Sequence, residues 1–289
     1  MRLCDMVSDK WDKTRIQNAN DDSLWELFHE NSKNSMYDQA PSNIEVIKKM
    51  NEMNESLEFK GYKTIDLPKA VSALKLSLED ALISRISTHD MSPSYLTLQS
   101  LSTLLYYAYG ITRDNKDTIF PRHFRTIPSA GALYPLEIFL YSRHIQNQGS
   151  GIYHYNPVQN NLRLLNDGNK LAAIAECFFQ SDIAYNSSLI IFITALFKRS
   201  TFKYGDRGYR FILLEAGHVA QNINLVVNGL GLGCINIGGF LDHRVDDLLG
   251  LDGITHSTIY IIAIGNKKES MVDNTNENRI TQERVMPQI

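Results

Sequence analysis

"SLIIFITALF", residues 188–197, contains no charge, and the pattern after it is helical. Ile212, Ala216, Val219, Ala220, Ile223, Val226, Val227 and Leu230 recur at helical spacing as one uninterrupted apolar stripe. A continuous apolar run without alternation reads as a strand covered on both faces. Such a strand beside a long one-sided helix demands layers, with helices packed on a sheet. "CINI" and "STIYIIAIG" read as two further strands, with a short helix in "HRVDDLLG" between them. Gly231 and Gly233 are expected to end the long helix.

The rest of the chain supplies more of both layers. "LEIFLYS", residues 136–142, is strand-like, enriched in Ile and aromatics. "GIYHY" and "NLRLL", joined by "NPVQN", read as a β-hairpin, and "NKLAAIAECFF" as a helix. Ser77 with Asp80 resembles a capping box, so a helix over 77–87 carries Arg85 and Ser87 to its C-terminal end. Leu98, Leu101, Leu105 and Ala108 mark another helix, stopped at Gly110. A short helix over 21–33 is capped by Asp21, Asp22 or Ser23, with Leu24, Trp25, Leu27 and Phe28 as its apolar face. Residues 34–68 are polar and mixed. Residues 1–70 are expected to form a covering segment, one globular unit with 71–289. From Asn266 the chain reads as a tail or arm. The interleaving implies an α+β or α/β layered domain.

With 289 residues, 43% hydrophobic, 21% charged and a net charge of −3, the chain reads as an ordinary soluble globular protein. That balance gives no electrostatic case for nucleic acid or an anionic membrane as main partner. No apolar run approaches the ~20 residues of a membrane helix, and the N-terminus lacks the apolar region of a secretory signal. Cys4, Cys177 and Cys234 are distant and unpatterned, fitting neither a disulfide framework nor a zinc site. They read as reduced thiols of a cytoplasmic protein, and Cys234 sits in an apolar run. The eight histidines show no metal-ligand spacing. His218 falls on the polar side of the long helix. GxGxxG, GxxxxGK[ST] and GxSxG motifs are missing, which removes the sequence case for a Rossmann fingerprint, a P-loop or a serine-hydrolase elbow.

Three stretches could carry chemistry. In "RTIPSAGALYPLEIF", residues 125–139, small and rigid residues around Gly131 let the backbone approach a flat ligand, and Pro135 fixes the entry to the strand. A plain tight loop would have the same composition. "INIGGF", residues 235–240, ends a buried strand on two glycines whose N–H groups a ligand could reach, or which simply turn the chain. "STFKYGDRGYRF", residues 200–211, packs Lys203, Tyr204, Arg207, Tyr209 and Arg210 together. A tyrosine titrates near ~10 and is a poor base until a neighbouring ammonium favours its phenolate. Lys203 and Tyr204 therefore read as a proton-abstraction unit, or as a solvated lysine beside a rim aromatic. In an extended segment they would face opposite sides, so their convergence requires a turn, for which Gly205 is well placed.

Taken together and in order, "PSAGALYPLEIF", "GIYHYNP", "FKYGDRGYRFILLEAGHVAQN" and "GLGCINIGGF" resemble the nitroreductase superfamily. More narrowly they resemble its thiazole/oxazole-forming peptide dehydrogenases, the SagB-type azoline oxidases, over residues 78 to 265. "FHENSK" is similar to that subfamily's N-terminal region. The resemblance implies an α+β fold, the FMN-dependent nitroreductase fold, with a mixed, mostly antiparallel sheet flanked by helices. It implies a homodimer with FMN near the subunit interface. The implied reaction is the two-electron oxidation of a peptide thiazoline or oxazoline to the azole, with oxygen reoxidising the flavin. The implied partners are an azoline-containing peptide and a cyclodehydratase. The subfamily's catalytic Lys-Tyr pair matches Lys203 and Tyr204, with Tyr204 favoured as base and Lys203 as its electrostatic partner; the reverse assignment, or joint action, fits equally. The family's basic-x-Ser-x-basic phosphate grip matches Arg85 and Ser87, with His89 where Arg or Lys is usual. Met91 replaces a usual aromatic. Pro128, Ser129 and Gly131 match the loop along the flavin, and Gly238 and Gly239 the backbone near its N5 edge. Lys267 matches a second phosphate cation.

Two other functions compete with azoline oxidation. An NAD(P)H-dependent nitro- or quinone reductase would take hydride from nicotinamide and needs no Lys203–Tyr204 base. A flavin-fold scaffold subunit of a peptide-modifying complex would not need the pair either, and the departure at His89 fits it.

Overall fold

A computed structural model describes residues 24–35, 40–115, 122–143, 145–146 and 148–268. Its helices are α1 (Leu24–Asn31), α2 (Asn43–Glu52), α3 (Leu78–Ser84), α4 (Leu98–Tyr109), α5 (Leu171–Ala175), α6 (Ser181–Tyr185), α7 (Lys198–Tyr204), α8 (Arg207–Gly229) and α9 (Asp242–Leu249). Its strands are β1 (Lys63–Asp66), β2 (Met91–Ser92), β3 (Ile111–Arg113), β4 (Phe124–Arg125), β5 (Leu136–Ser142), β6 (Gly151–Asn156), β7 (Asn161–Asp167), β8 (Leu189–Leu196), β9 (Leu232–Ile237) and β10 (His256–Lys267).

The main sheet runs β1-β7-β6-β5-β8-β10-β2, with β9 also paired to β10; β3 and β4 form a separate ribbon. Every strand pair among the described residues is antiparallel. The parallel component expected of a mixed sheet reduces there to the isolated bridge Leu96–Ile145. Strand β8 is central, and its residues alternate between two cores. Leu189, Ile191, Ile193 and Ala195 face α4 and α8, joined by Leu101, Leu105, Ile212, Val219 and Ile223. Ile190 and Phe192 face the other side, with Ile174 of α5 and Val245 of α9. Each fully buried side chain of this size contributes about 1.5–3 kcal/mol of transfer free energy. The architecture is α+β, with helices on both faces of the sheet.

Local signals held where they were strong. The Ser77 hydroxyl accepts from the Asp80 N–H and caps α3. Gly110 caps α4, and the 151–165 hairpin pairs Tyr155 with Leu162. Other boundaries moved. Helix α3 stops at Ser84, leaving Arg85 as its cap and Ser87 beyond it. The helix expected over 169–179 breaks after Ala175 and resumes as α6. Gly233 lies inside β9 instead of ending α8. Asn266 and Lys267 belong to β10, where they pair with Ser92 and Met91, so the tail begins later.

Two N-terminal elements cover the sheet. Strand β1 adds to its edge through β7, and Val46 and Met50 of α2 pack with Leu133, Phe202 and Tyr204. The expected apolar face of α1 does not pack inward: Leu24, Trp25 and Leu27 are exposed, and Phe28 meets Tyr209 edge-on at 5.5 Å. The proposed caps at 21–23 lie outside the described residues, as does Cys4. Among the described residues no helix is long and apolar enough to cross a membrane.

Candidate active site

The 200–211 stretch is neither extended nor a simple turn. Lys203 and Tyr204 close the last turn of α7, and Gly205, with φ +53°, ends it. Only a residue without Cβ adopts that backbone freely, which lets α8 start two residues on. Lys203 Nζ lies 5.2 Å from the Tyr204 ring centroid, and Tyr204 packs edge-on against Phe211 at 5.0 Å.

Opposite this pair lies the 128–134 loop. Gly131 has φ +63°, and a Cβ there would sit 2.6 Å from the Tyr204 hydroxyl oxygen and 2.9 Å from Lys203 Nζ. The small residue read from sequence as allowing close approach is met by the Lys-Tyr pair itself. Pro128, Ser129, Gly131 and Lys203 line one cavity of about 610 Å³, with Arg113 and Arg125. Lys203 also lines a second, polar cleft of about 490 Å³, with Tyr204, Asn31, Ser32 and Arg207.

The remaining cations of the stretch hold α1. Arg210 Nε donates to Ser32 Oγ at 2.8 Å, and its Nη2 donates to the His29 carbonyl. Arg207 Nη1 donates to the Ser32 carbonyl at 3.3 Å. Tyr209 stands between Phe28 and Phe197, stacked on the latter at 5.5 Å.

Behind α7 and the loop lie two buried carboxyls that the sequence reading passed over. Glu137, 2% exposed at the start of β5, accepts from Arg199 Nη1 at 2.6 Å. It also accepts from Ser56 Oγ and the Leu57 N–H, and its Oε2 lies 2.6 Å from His154 Nε2. Burial alone would raise its pKa, but the Arg199 charge and the His154 hydrogen bond outweigh it and hold the carboxyl well below the usual range. Arg199 sits on α7 one turn before Lys203, so this ion pair ties α7 to the strand that leaves the loop. Glu215, 3% exposed on α8, lies on the buried face of that helix beside the apolar stripe. Burial pushes it up to about 7, against hydrogen bonds from Ser129 and Tyr109 and the charge of Arg125. That acid on an apolar face was a visible signal; Glu137, inside an all-buried strand, gave none.

The other expected cofactor residues gather elsewhere. Arg85 and Lys267 both act electrostatically on the Cys234 thiol, although burial dominates and lifts it to about 11. Lys267 Nζ donates to Asn228 Oδ1 at 3.1 Å, and Asn228 Nδ2 reaches back to Ser84 Oγ at 2.8 Å. Ser87 and His89 are exposed on the stretch between Arg85 and β2. His89, Gly238 and Gly239 line a cleft of about 300 Å³ with Asn236 and Phe179. The Asn236 Oδ1 atom of this cleft is buried without a hydrogen-bond partner, as is Thr88 Oγ1 beside Gly233. Among the described residues no cluster of His, Cys, Asp or Glu could hold a metal ion.

Lys203 and Tyr204 lie toward one end of β10 and His89 and Lys267 toward the other, with Gly238 and Gly239 between them, just past the Ile237–Ile261 pair. Leu196, just before α7, pairs with His256; Met91, just after His89, pairs with Lys267. The twelve residues between those ends span roughly 35–40 Å at about 3.4 Å each.

The family model for the nitroreductase family matches residues 82–266. MJ1384 of Methanocaldococcus jannaschii, named as a nitroreductase, is 38% identical over 68% of this chain and 93% of its own length. The microcin B17-processing protein McbC of Escherichia coli is 31% identical over 49% of this chain and 54% of its own. The trifolitoxin-processing protein TfxB of Rhizobium leguminosarum bv. trifolii is 28% identical over 58% and 46%. The chain thus spans about half the length of these two processing proteins. A crystal structure of an Anabaena variabilis nitroreductase superposes with TM-score 0.68 at 25% identity, over 88% of this chain and 49% of that one. On its fold, its loop and helix motifs and these matches, the chain belongs to the nitroreductase family.

Proposed function

We propose that the protein is an FMN-dependent dehydrogenase of the SagB type, oxidising peptide thiazolines or oxazolines to thiazoles or oxazoles. The convergence of Lys203 and Tyr204 on Gly131 carries this reading. A reductase fed by nicotinamide has no use for a base at the cofactor-facing loop. Aromatising an azoline removes one hydrogen as a proton and one as a hydride, and the proton needs a protein acceptor. The likeness to McbC and TfxB, both named as peptide-processing proteins, supports a peptide substrate.

The residues present fit FMN. Arg85 and Lys267, with Ser87 and His89, offer cations and donors for a phosphate. Gly238 and Gly239 line a cleft with the orphaned Asn236 oxygen. Pro128, Ser129 and Gly131 form a wall without bulk. When bound, the flavin accepts the hydride and passes the electrons to oxygen. The protein's part is to hold the azoline carbon against the 128–131 wall and to take its proton at the Tyr204 oxygen, with Lys203 beside it.

The loop residues and the phosphate residues stand toward opposite ends of β10, a strand of roughly 35–40 Å, and this favours a site built from two protomers. A homodimer supplies the answer, with the loop end of one protomer meeting the phosphate end of its partner. An azoline-bearing peptide and the cyclodehydratase that makes it are the remaining partners, with residues 1–70 covering the 71–289 unit.

The test is to purify the protein, release its flavin and assay azoline oxidation in wild type, Lys203→Ala and Tyr204→Phe. Both variants are expected to keep FMN and lose at least ~100-fold in turnover, the scale of general-base catalysis. Undiminished turnover in both removes the pair from the chemistry. NADH consumption with a quinone, unaffected by either substitution, would instead favour the reductase function suggested by the likeness to MJ1384.

A further inference from the structure

Helix α2 buries only two residues, Val46 and Met50, four apart on one face. Both go to the active site. They form one buried cluster with Leu133 of the 128–134 loop, and Phe202 and Tyr204 of α7 pack against that cluster. The stretch after α2 grips the surroundings of the same site. Arg122 Nη2 donates to the Met50 carbonyl at 3.0 Å and to the Met53 carbonyl at 2.7 Å. The Glu55 carboxylate accepts from the His123 N–H at 3.2 Å, and the Glu55 carbonyl accepts from Arg125 Nη2 at 2.8 Å. Ser56 Oγ and the Leu57 N–H donate to Glu137, the partner of Arg199. All these residues of the 46–57 stretch lie before the part matched by the family model, which begins at residue 82.

Helix α7 has seven residues and no side-chain cap, too short to hold its own place in water. Its place is set by what it packs on. Arg199 fixes its start through Glu137, and Phe202 and Tyr204 rest its end on the cluster that Val46 and Met50 build with Leu133. The Tyr204 ring also meets Phe211 edge-on at 5.0 Å. Leu133 stands two residues after Gly131, whose approach to Tyr204 leaves no room for a Cβ. One apolar cluster therefore sets both halves of that approach, the loop and the tyrosine. We propose that α2 is a positioning element of the active site, with Val46 and Met50 as positioning residues that seat Tyr204 against the loop. Met50 suits the task, because an unbranched thioether chain fills irregular gaps between elements. The effect on turnover rests on the azoline-oxidation reading above; the seating of Tyr204 does not.

Two measurements on the full chain separate the two. The first places a fluorinated tyrosine at position 204 and needs no substrate. In Met50→Ala its fluorine resonance is expected to move and broaden, and in Met50→Leu, which keeps the volume, to return close to the wild-type position. Leu162→Ala is the control, a fully buried residue of β7, two strands from β5; it is expected to leave the resonance in place. A resonance that Met50→Ala leaves unmoved, or that Leu162→Ala moves as far, overturns the proposal. Should Met50→Ala fail to fold, Val46→Ala, a smaller deletion in the same cluster, is read in the same way. The second measurement is turnover of an azoline peptide per folded molecule. Met50→Ala is expected to lower kcat at least ~10-fold at unchanged KM, because a misplaced reacting group costs rate and not binding. Met50→Leu is expected to restore most of it. Lower thermal stability with wild-type kcat, which a purely structural role predicts, overturns the proposal. Absence of azoline turnover in wild type overturns the azoline reading, and the fluorine result alone then decides for or against the seating of Tyr204 by α2.

Discussion

Gly131 and Tyr204 are packed so that no side chain fits between them: a Cβ on Gly131 would meet the phenolic oxygen at 2.6 Å. The φ of +63° at Gly131 adds a second constraint, because an L-residue there costs about 1–2 kcal/mol. Gly131→Ala should therefore lower stability by about that amount and displace Tyr204 and Lys203 from the loop. Turnover on an azoline peptide should fall at least ~10-fold, since small misplacements cost orders of magnitude. Thermal denaturation and turnover measured on the same preparation check this; wild-type turnover would show that the close packing has no catalytic consequence.

The Glu137–Arg199 pair is buried on both sides. Removing one partner leaves an uncompensated charge, at about 3–5 kcal/mol. Arg199→Ala should lose stability on that scale, and Arg199→Lys should recover part of it. Because Arg199 stands at the start of α7, both variants should also slow the reaction in the order Ala below Lys. Urea unfolding at neutral pH gives the first quantity. Equal stability for wild type and Arg199→Ala would mean that the pair is not formed in solution.

The two buried carboxyls should tilt stability with pH in opposite directions. Burial raises Glu215 to about 7 in the folded state, against about 4.3 when unfolded. The folded chain thus keeps a proton that the unfolded chain gives up. Its stabilising contribution is fully present below the unfolded value and is lost as pH rises through 7, by up to roughly 4 kcal/mol. Glu137 is held below the ordinary range by Arg199 and His154 despite its burial. Its contribution is present above that range and lost as pH falls beneath it. Unfolding free energies from about pH 5 to 8 should slope differently in wild type and Glu215→Gln; parallel profiles would refute the Glu215 part.

Helix α1 has no buried residue of its own and depends on Arg207, Arg210 and Tyr209. Arg210→Ala should open residues 24–35 to proteolysis while changing global stability by less than about 0.5 kcal/mol, as for other surface sites. Cleavage at the wild-type rate would assign the docking of α1 to its other contacts.

Much of the fold was legible because it is written in periodicity. The stripe from Ile212 to Leu230 and the unbroken run at 189–196 dictate a long helix and a central strand whatever surrounds them. Gly131 and Gly205 were also readable as sites of close approach or turning. What escaped was tertiary. Lys203 and Tyr204 converge through a short helix that no local pattern announced, since KRSTFKY has neither a cap nor a clear stripe. The exposed face of α1 looked like core because Leu24, Trp25 and Leu27 have helical spacing; nothing local says whether a second surface will meet them. Glu137 could not be found, because its partners at residues 56, 57, 154 and 199 are distant in sequence.

The placement of the loop residues and the phosphate residues toward opposite ends of β10 has a genetic corollary. If each site draws one group from each protomer, two differently damaged chains can repair one another. A chain with Lys203→Ala keeps an intact Arg85 end, and a chain with Arg85→Ala keeps an intact Lys203 end. Paired, they assemble one wholly wild-type site and one doubly broken site. Coexpression of two inactive alleles would then restore activity that neither has alone.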